Sequence, residues 1–334
     1  MGITKSAATV AEELAVRVGL VVDATCDLPE QVLQAHGVRV LPIVLNVAGQ
    51  RFIDRREPQA TQAFYQQQLP GVLAGDHSQP LPVLELQQWL LEELVNEVDY
   101  LLCLTVCSQR SQIFEHATQA SFGLLQCYRE RRAAAGLSGP FAMRVIDSKS
   151  VFAGVGLLAA EALRLIGSGA HPNAIRARLE QLAGQTCTFI VADDLAHLRQ
   201  RGFQKGERSG VLDMMRGAAL GLGSLLDVRP VLSVQSGADK PVALSPSFAK
   251  AAEKLFAHAA KRVAANELLA PHLCLSYAGD VSVVRDLPGY SALEQLCRER
   301  AVVLQLSMLS ATGAINLGRG ALSLAYAAPA KAFD

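Results

Sequence analysis

Short apolar segments alternate along the chain with longer segments in which apolar residues recur at helical spacing. Tyr100–Val106 is a continuous apolar run, which is typical of a central parallel strand that is buried on both faces. Val18–Asp23 and Ala142–Ile146 are similar short runs that end in polar residues, whereas Val83–Val95 and Val151–Ile166 have helical periodicity. This alternation predicts a layered α/β fold with a parallel sheet in the N-terminal half.

The segment before residue 83 is less regular. Val38–Val47 is a predicted strand interrupted by Pro42, which fits an edge strand or a bulge better than a central strand. Thr61–Gln68 is predicted to be helical. Gly71–Pro82 is rich in Gly, Pro, Asp and Ser and is predicted to be a loop.

The pattern changes after Ala170. Thr186–Ala192, Val228–Val234, Ala270–Tyr277 and Val302–Leu309 are predicted strands with helices between them. This mixture predicts a second domain, of the α+β class, which we assign to residues 171–334.

Composition narrows the class of protein. The chain has 334 residues, of which 50% are hydrophobic and 19% charged, so a large core is expected rather than disorder. Its 31 basic and 31 acidic residues balance, which argues against a nucleic acid partner. The longest charge-free apolar stretch, Val151–Ala160, is too short to span a membrane. Seven cysteines without a CxxC pair predict reduced thiols in the cytoplasm and no metal site, and we expect no cofactor.

Gly154 and Gly156 belong to a GxGxxA pattern that resembles a dinucleotide-binding fingerprint. That fingerprint requires its glycines at the turn from strand to helix, but here the predicted strand ends several residues earlier, at Asp147. The glycines are therefore interpreted as positions where a helix lies close to a sheet.

Polar residues follow the predicted parallel strands, where open sheets bind their ligands. Cys107 comes directly after a buried strand, and His77 and Asp147 lie at other predicted rim positions. A Cys/His/Asp nucleophile set is one interpretation. The other is a small buried thiol that packs as a hydrophobic residue.

Two polar loops, Asp76–Pro80 and Cys107–Ser111, precede predicted helices. A helix N-terminus stabilises an anion, but Ser and Asp at such positions also cap the helix without any ligand. Gly313–Gly320 is compatible with a third anion contact through backbone N–H groups, or with a turn between two C-terminal strands.

Two segments carry recognisable motifs: Val22–Pro29 is VDATCDLP, and His77–Pro80 is HSQP. They resemble the opening V-D-S-T-x-D-L-P and the T-S-Q-P of the DegV family of bacterial fatty-acid-binding proteins, whose further motifs follow in the same order. Val145–Lys149 resembles the family's V-x-D-S, and Gly154 and Gly156, which follow it, match the family's glycines. Further similar segments are Val38–Ile43 with Phe52–Asp54, Phe64–Tyr65, Asp193–Leu198 and Leu226–Leu232.

The resemblance implies a three-layer parallel-sheet domain at residues 18–170 and a two-layer α/β sandwich at residues 171–334, with residues 1–17 as an N-terminal extension. It implies that a long-chain fatty acid lies in an apolar tunnel with its carboxylate at the domain junction. It also implies a non-catalytic role, in which the acid is presented to a separate ATP-binding subunit related to dihydroxyacetone kinase.

The sequence departs from the family at the implied head-group site. His77 replaces a threonine, Arg110 lies between the retained Ser108 and Ser111, and the C-terminal H-x-G-P-G becomes Asn316–Gly320. The family's G-G-R-I aligns near Arg201–Gln204 and loses its arginine. The predicted ligand-binding residues are His77, Ser78, Gln79, Ser108, Arg110, Ser111, Asn316, Gly318 and Arg319.

Three functions are therefore considered. The first is a cytoplasmic fatty-acid-binding protein whose added cations hold an acidic head group by charge-assisted hydrogen bonds. The second is an enzyme that uses Cys107 and His77 at the same rim. The third is a regulatory or interaction protein that has lost the lipid.

Overall fold

A computed structural model describes residues 16–197 and 228–333. The predicted N-terminal extension up to residue 15 and the segment Arg201–Gln204 lie outside these described residues. Within the described residues there are ten helices, thirteen strands and one short 3-10 helix, numbered in chain order.

The first sheet, sheet A, consists of four parallel strands in the order β2-β1-β6-β7. β6 is central, as its continuous apolar run predicts, and the buried strand β1 is the other central strand. The strands are β1 (Val18–Asp23), β2 (Arg39–Leu41), β6 (Tyr100–Thr105) and β7 (Ala142–Asp147).

Helices cover both faces of sheet A, so that the expected three layers are present. Leu101 and Cys103 face one layer, and Leu102 and Leu104 face the other, because side chains alternate along a strand. The first layer contains α3 (Val83–Glu93) and α4 (Ile113–Ala134). The second contains α1 (Glu30–Ala35), α5 (Ala153–Gly167) and α6 (Pro172–Ala183).

A small antiparallel sheet in the order β4-β3-β5 adjoins sheet A. Pro42 separates β2, an edge strand of sheet A, from β3, so the interrupted strand of the sequence is two strands in two sheets. The elements here are β3 (Ile43–Val47), β4 (Gln50–Asp54), α2 (Pro58–Gln67), the 3-10 helix (Leu69–Gly71) and β5 (His77–Pro80).

The largest sheet, sheet C, has six strands in the order β10-β9-β8-β13-β11-β12 and mixes parallel and antiparallel pairs. One face packs against α7 and α9. Its strands are β8 (Thr186–Val191), β9 (Arg229–Gln235), β10 (Ala238–Ser245), β11 (His272–Tyr277), β12 (Val303–Met308) and β13 (Leu322–Ala327). Its helices are α7 (Phe248–Ala264), α8 (Ser282–Arg285), α9 (Tyr290–Glu299) and α10 (Ala311–Leu317).

Helix α5 lies between sheets A and C and is buried from Ala153 to Leu163. Its small residues permit this position. A Cβ on Gly154 would overlap the hydroxyls of Ser150 and Thr188, and one on Gly156 would lie 2.7 Å from the carbonyl oxygen of Asp27. The glycines of the GxGxxA pattern therefore allow close packing, as their place in the sequence predicts.

Gly156→Ala is expected to lower the free energy of unfolding by about 1–3 kcal/mol, because the added methyl meets backbone that cannot move without shifting the loop. Gly167→Ala is the matched control, since the same helix leaves open space around Gly167. That variant is expected to be neutral or slightly stabilising. Urea unfolding of both proteins tests the difference, and equal stabilities would contradict the packing account.

Two local predictions are wrong. Within the segment predicted as a loop, His77–Pro80 forms β5, because its backbone pairs with β3 from Asn46 to Ile43. Asp76–Pro80 is therefore not a helix N-terminus, and α3 begins later, at Val83. Within Gly313–Gly320, the residues up to Leu317 form the end of α10, and only the glycines that follow make a turn with positive φ.

Candidate functional site

An apolar cluster joins the two halves of the molecule, which we call the N-terminal lobe (residues 16–170) and the C-terminal lobe (residues 171–197 and 228–333). The boundary at residue 170 remains a prediction, since α5 contacts strands of both large sheets. The cluster, called the junction cluster, combines buried residues from the rim of sheet A, the small sheet, sheet C and α10. Its members include Val106, Ile113, Val151, Phe152, Leu45, Val47, Phe64, Ile190, Ala192, Val234, Leu309, Ile315 and Leu317.

The predicted residues of β5 lie beside this cluster but point in different directions. Ser78 is opposite Leu45 in the antiparallel register, and so shares the face that contacts the junction cluster. His77 is on the other face, where its Nε2 lies 3.4 Å from Asn46 Nδ2. Gln79 shares that second face. Because β5 also contacts α4 and α10, Ser78 is the residue of this strand best placed to reach the junction.

The loop after β6 carries the next three predicted residues. The Ser108 hydroxyl donates to Asp147 Oδ2 at 2.6 Å, and its backbone N–H donates to Oδ1 at 3.1 Å. Ser111 Oγ accepts from the N–H of Ile113 at 3.3 Å, which helps to cap α4. Arg110 forms an ion pair with Asp239, near the start of β10. This pair connects the rim of sheet A to the C-terminal lobe.

The last three predicted residues follow one another at the end of α10. Asn316 Nδ2 donates to the carbonyl of Thr312 at 2.8 Å. Gly318 has φ +85° and lies against Asp194 and His197, whose side chains a Cβ would approach to 3.2 Å. Arg319 is exposed. The glycine thus allows the turn that presents Arg319 at the surface.

A buried polar network lies where the loop after β1 meets the C-terminal lobe. Asp27 and Arg56 form its ion pair, with Asp27 Oδ1 3.2 Å from Arg56 Nη1 and both side chains almost fully buried. Asp27 Oδ2 accepts from the Ser276 hydroxyl at 2.6 Å. Asp54 accepts from the backbone N–H and the hydroxyl of Thr312, both at 2.8 Å. The network therefore links the lobes by directional bonds.

The charges of this network are unequal. Two buried carboxyls, those of Asp27 and Asp54, interact with the single guanidinium of Arg56, and the buried carboxyl of Asp23 interacts with that of Asp54. Burial raises the pKa of Asp27 to about 6, although Arg56 and the hydrogen bonds from Ser276 and Ser310 act in the opposite direction. Burial also raises the pKa of Asp23 and of Asp54. An anionic ligand is consequently not favoured inside this network.

The Cys/His/Asp arrangement is not assembled. The ring of His77 contacts Asn46 and the carbonyl of Gly75, and the carboxylate of Asp147 accepts from Ser108 and from the N–H of Lys149. Burial raises the pKa of the Cys107 thiol, whereas a nucleophilic thiol needs a lowered one. The geometry gives no support to the enzyme interpretation.

Residues 16–197 and 228–333 contain no group of three or more His, Cys, Asp or Glu residues placed to hold a metal ion. Within the same ranges no helix is long and apolar enough to cross a membrane.

The fold and junction define a class of two-lobed α/β proteins with a parallel sheet in one lobe and a mixed sheet in the other. A family model described as "Uncharacterised protein, DegV family" matches residues 17–329. A DegV domain-containing protein of Xanthomonas campestris is 41% identical over 319 residues, which cover 95% of this chain and 99% of that protein. The chain belongs to the DegV family.

Solved structures share the fold. A DegV lipid-binding protein of Thermotoga maritima superposes with a TM-score of 0.70 at 17% identity and covers 94% of this chain and 99% of its own. DegV of Bacillus subtilis, described as a fatty-acid-binding protein, has a TM-score of 0.66 at 20% identity over 94% of this chain and 99% of its own. At these identities the comparison establishes the architecture alone.

The sequence reasoning missed the buried network. Asp27 and Asp54 belong to segments that resemble the family's motifs, and their positions in the loop after β1 and at the end of β4 were a usable signal. Arg56 had no such signal, because Arg55-Arg56-Glu57 has the composition of an exposed turn.

Proposed function

We propose that this protein binds a long-chain fatty acid or a similar amphiphile at the junction of its lobes and presents the carboxylate to a separate kinase subunit. The junction cluster carries this proposal, since it brings apolar side chains of both lobes together beside Ser78, Ser111 and the end of α10. Solved relatives, one described as a lipid-binding and one as a fatty-acid-binding protein, support it.

The energetics are consistent with this role. Each methylene group removed from water contributes about 0.8 kcal/mol, so the hydrocarbon supplies most of the affinity. The carboxylate must remain hydrogen-bonded, because an unpaired buried charge is costly. The hydroxyls of Ser78 and Ser111, the Asn316 amide and the Arg319 guanidinium are the donors that the proposal assigns to it.

The junction must open for the ligand. Beside the junction cluster, a cavity lined by Leu41, Leu86 and Ile113, of which only Ile113 belongs to the cluster, measures about 10 Å³. Pockets that hold ligands of this size span about 300–1,000 Å³. The proposal therefore places the hydrocarbon between side chains of the junction cluster that separate on binding.

Denaturing mass spectrometry of protein purified from cells tests the proposal directly. A co-purified acyl ligand, absent from an unrelated protein purified in the same way, is the expected result. Absence of any ligand, together with no binding of added oleic acid, would favour the regulatory or interaction role instead.

The variant Arg319→Ala is expected to weaken the binding of oleic acid to delipidated protein by about tenfold or more, because a charge-assisted hydrogen bond is lost. Arg285→Ala is the matched control, since Arg285 is also exposed but lies on α8. Isothermal titration of both variants measures the effect. If Arg319→Ala binds as tightly as Arg285→Ala, the carboxylate is not held at the end of α10.

A further inference from the structure

Side chains of the N-terminal lobe bond to the backbone of one short corner of the C-terminal lobe, the corner from Met308 to Thr312 that connects β12 to α10. Arg56 Nη2 donates to the carbonyl of Met308 at 2.9 Å. The Tyr65 hydroxyl donates to the carbonyl of Leu309. Both donors are buried, so these bonds are shielded from competition by water.

The same corner is held by two carboxylates. Asp27 Oδ1 accepts from the backbone N–H of Ser310 at 3.0 Å. Asp54 Oδ2 accepts from the N–H and the hydroxyl of Thr312. Four positions within five consecutive residues are thus fixed by partners from the other lobe.

The end of β1, which leads into the loop that carries Asp27, also fixes the rim of sheet A. Asp23 Oδ2 accepts from the N–H of Val106 at 2.6 Å, and its Oδ1 accepts from the N–H and hydroxyl of Thr25. Val106 leads directly into the loop that contains Ser108 and Ser111. The end of β1 and the loop after it therefore hold both a rim segment of the N-terminal lobe and, through Asp27, the corner of the C-terminal lobe.

We propose that Asp23, Asp27, Asp54 and Tyr65 are positioning residues that set the distance between the ligand-binding groups of the two lobes. The inference rests on the proposed function and adds to it the residues that fix the head-group geometry. α10 begins at the anchored corner and is only seven residues long, about 10 Å, so its C-terminal end moves with that corner. The network itself does not receive the carboxylate, because its three acidic groups exceed its one cation.

The test separates recognition of the head group from binding of the hydrocarbon. Oleic acid and methyl oleate share one chain, but only the acid offers a carboxylate. Delipidated wild-type protein is expected to bind the acid at least about tenfold more tightly than the ester, as charge-assisted bonds would require.

Tyr65→Phe and Thr312→Val each remove one hydroxyl bond and leave the shape of the side chain nearly unchanged. Each is expected to reduce the preference for the acid about fivefold, with the affinity for the ester kept within about twofold. Tyr290→Phe is the matched control: Tyr290 is also buried and donates to Glu294, but it lies on α9. Its preference for the acid is expected to equal that of the wild type.

Several results would overturn the inference. If the two hydroxyls have only a structural role, both variants will bind the acid and the ester more weakly to the same extent, and their midpoints of thermal unfolding will be lower. An unchanged preference in both variants, or equal affinities of the wild type for acid and ester, would also contradict it. Wild-type protein that binds neither compound would contradict the proposed function itself, a distinct outcome that removes this inference with it.

Discussion

Replacing Arg56 with methionine is expected to lower the free energy of unfolding by about 3–5 kcal/mol. The guanidinium is 6% exposed, and it is the cation paired with the fully buried carboxylate of Asp27. Its loss leaves that charge in the interior without a counterion. The carbonyls of Leu28 and Met308 also lose a donor, at 3.3 Å and 2.9 Å respectively. Urea unfolding at neutral pH measures the effect.

The neighbouring residue provides the control. Arg55 is exposed, and Arg55→Met is expected to change stability by less than about 0.5 kcal/mol. A second comparison combines Arg56→Met with Asp27→Asn, which removes both charges and is expected to recover part of the lost stability. If Arg56→Met unfolds at the same urea concentration as Arg55→Met, the buried ion pair is not a major contributor.

The elements that the sequence predicted well are those whose local pattern agrees with their tertiary environment. β6 is apolar throughout because it is buried on both faces, and the Gly154/Gly156 pair lies within a helical pattern because α5 packs closely between two sheets. Pro42 marks the end of the edge strand β2, since a residue without an N–H group cannot continue a central ladder, but β3, which follows it, is the central strand of the small sheet.

The elements that could not be predicted from the sequence pattern depend on partners that are distant in the chain. His77–Pro80 has no apolar alternation, and its strand conformation comes from pairing with β3. The sequence of α10, which contains Gly313, is also compatible with a turn. In the structure it is a helix, because Ser310 caps its N-terminus and Asp54 of the other lobe accepts from the N–H of Thr312. Local propensity could not reveal either arrangement.

The same reasoning applies to the candidate site. Sequence comparison assigned nine ligand-binding residues, and the structure distributes them over β5, the loop after β6 and the end of α10, all of which border the junction cluster. Sequence comparison could not show that His77 and Ser78 point to opposite faces of a strand, because this depends on the pairing of β5 with β3. Nor could it show that Arg110 is already paired with Asp239.

The stability of the wild type relative to Asp27→Asn is expected to fall as the pH rises. Burial raises the pKa of Asp27 in the folded protein to about 6, against about 3.9 for an unfolded chain. A carboxyl with a raised folded pKa contributes stability below its unfolded pKa, and that contribution is lost as the pH rises through the folded value. The variant carries no titrating group at this position, so the difference between the two proteins isolates Asp27.

The difference in free energy of unfolding, wild type minus Asp27→Asn, is expected to decrease by about 2 kcal/mol between pH 4.5 and pH 7. Urea unfolding at several pH values measures it. Asp99→Asn is the control of opposite sign, because the hydrogen bond from Arg17 holds the pKa of Asp99 below its usual range. The difference in free energy of unfolding, wild type minus Asp99→Asn, is therefore expected to increase as the pH rises through the acidic range. A wild-type advantage over Asp27→Asn that stays constant or grows with pH would show that Arg56 and the hydroxyl of Ser276 outweigh the cost of burying the charge of Asp27.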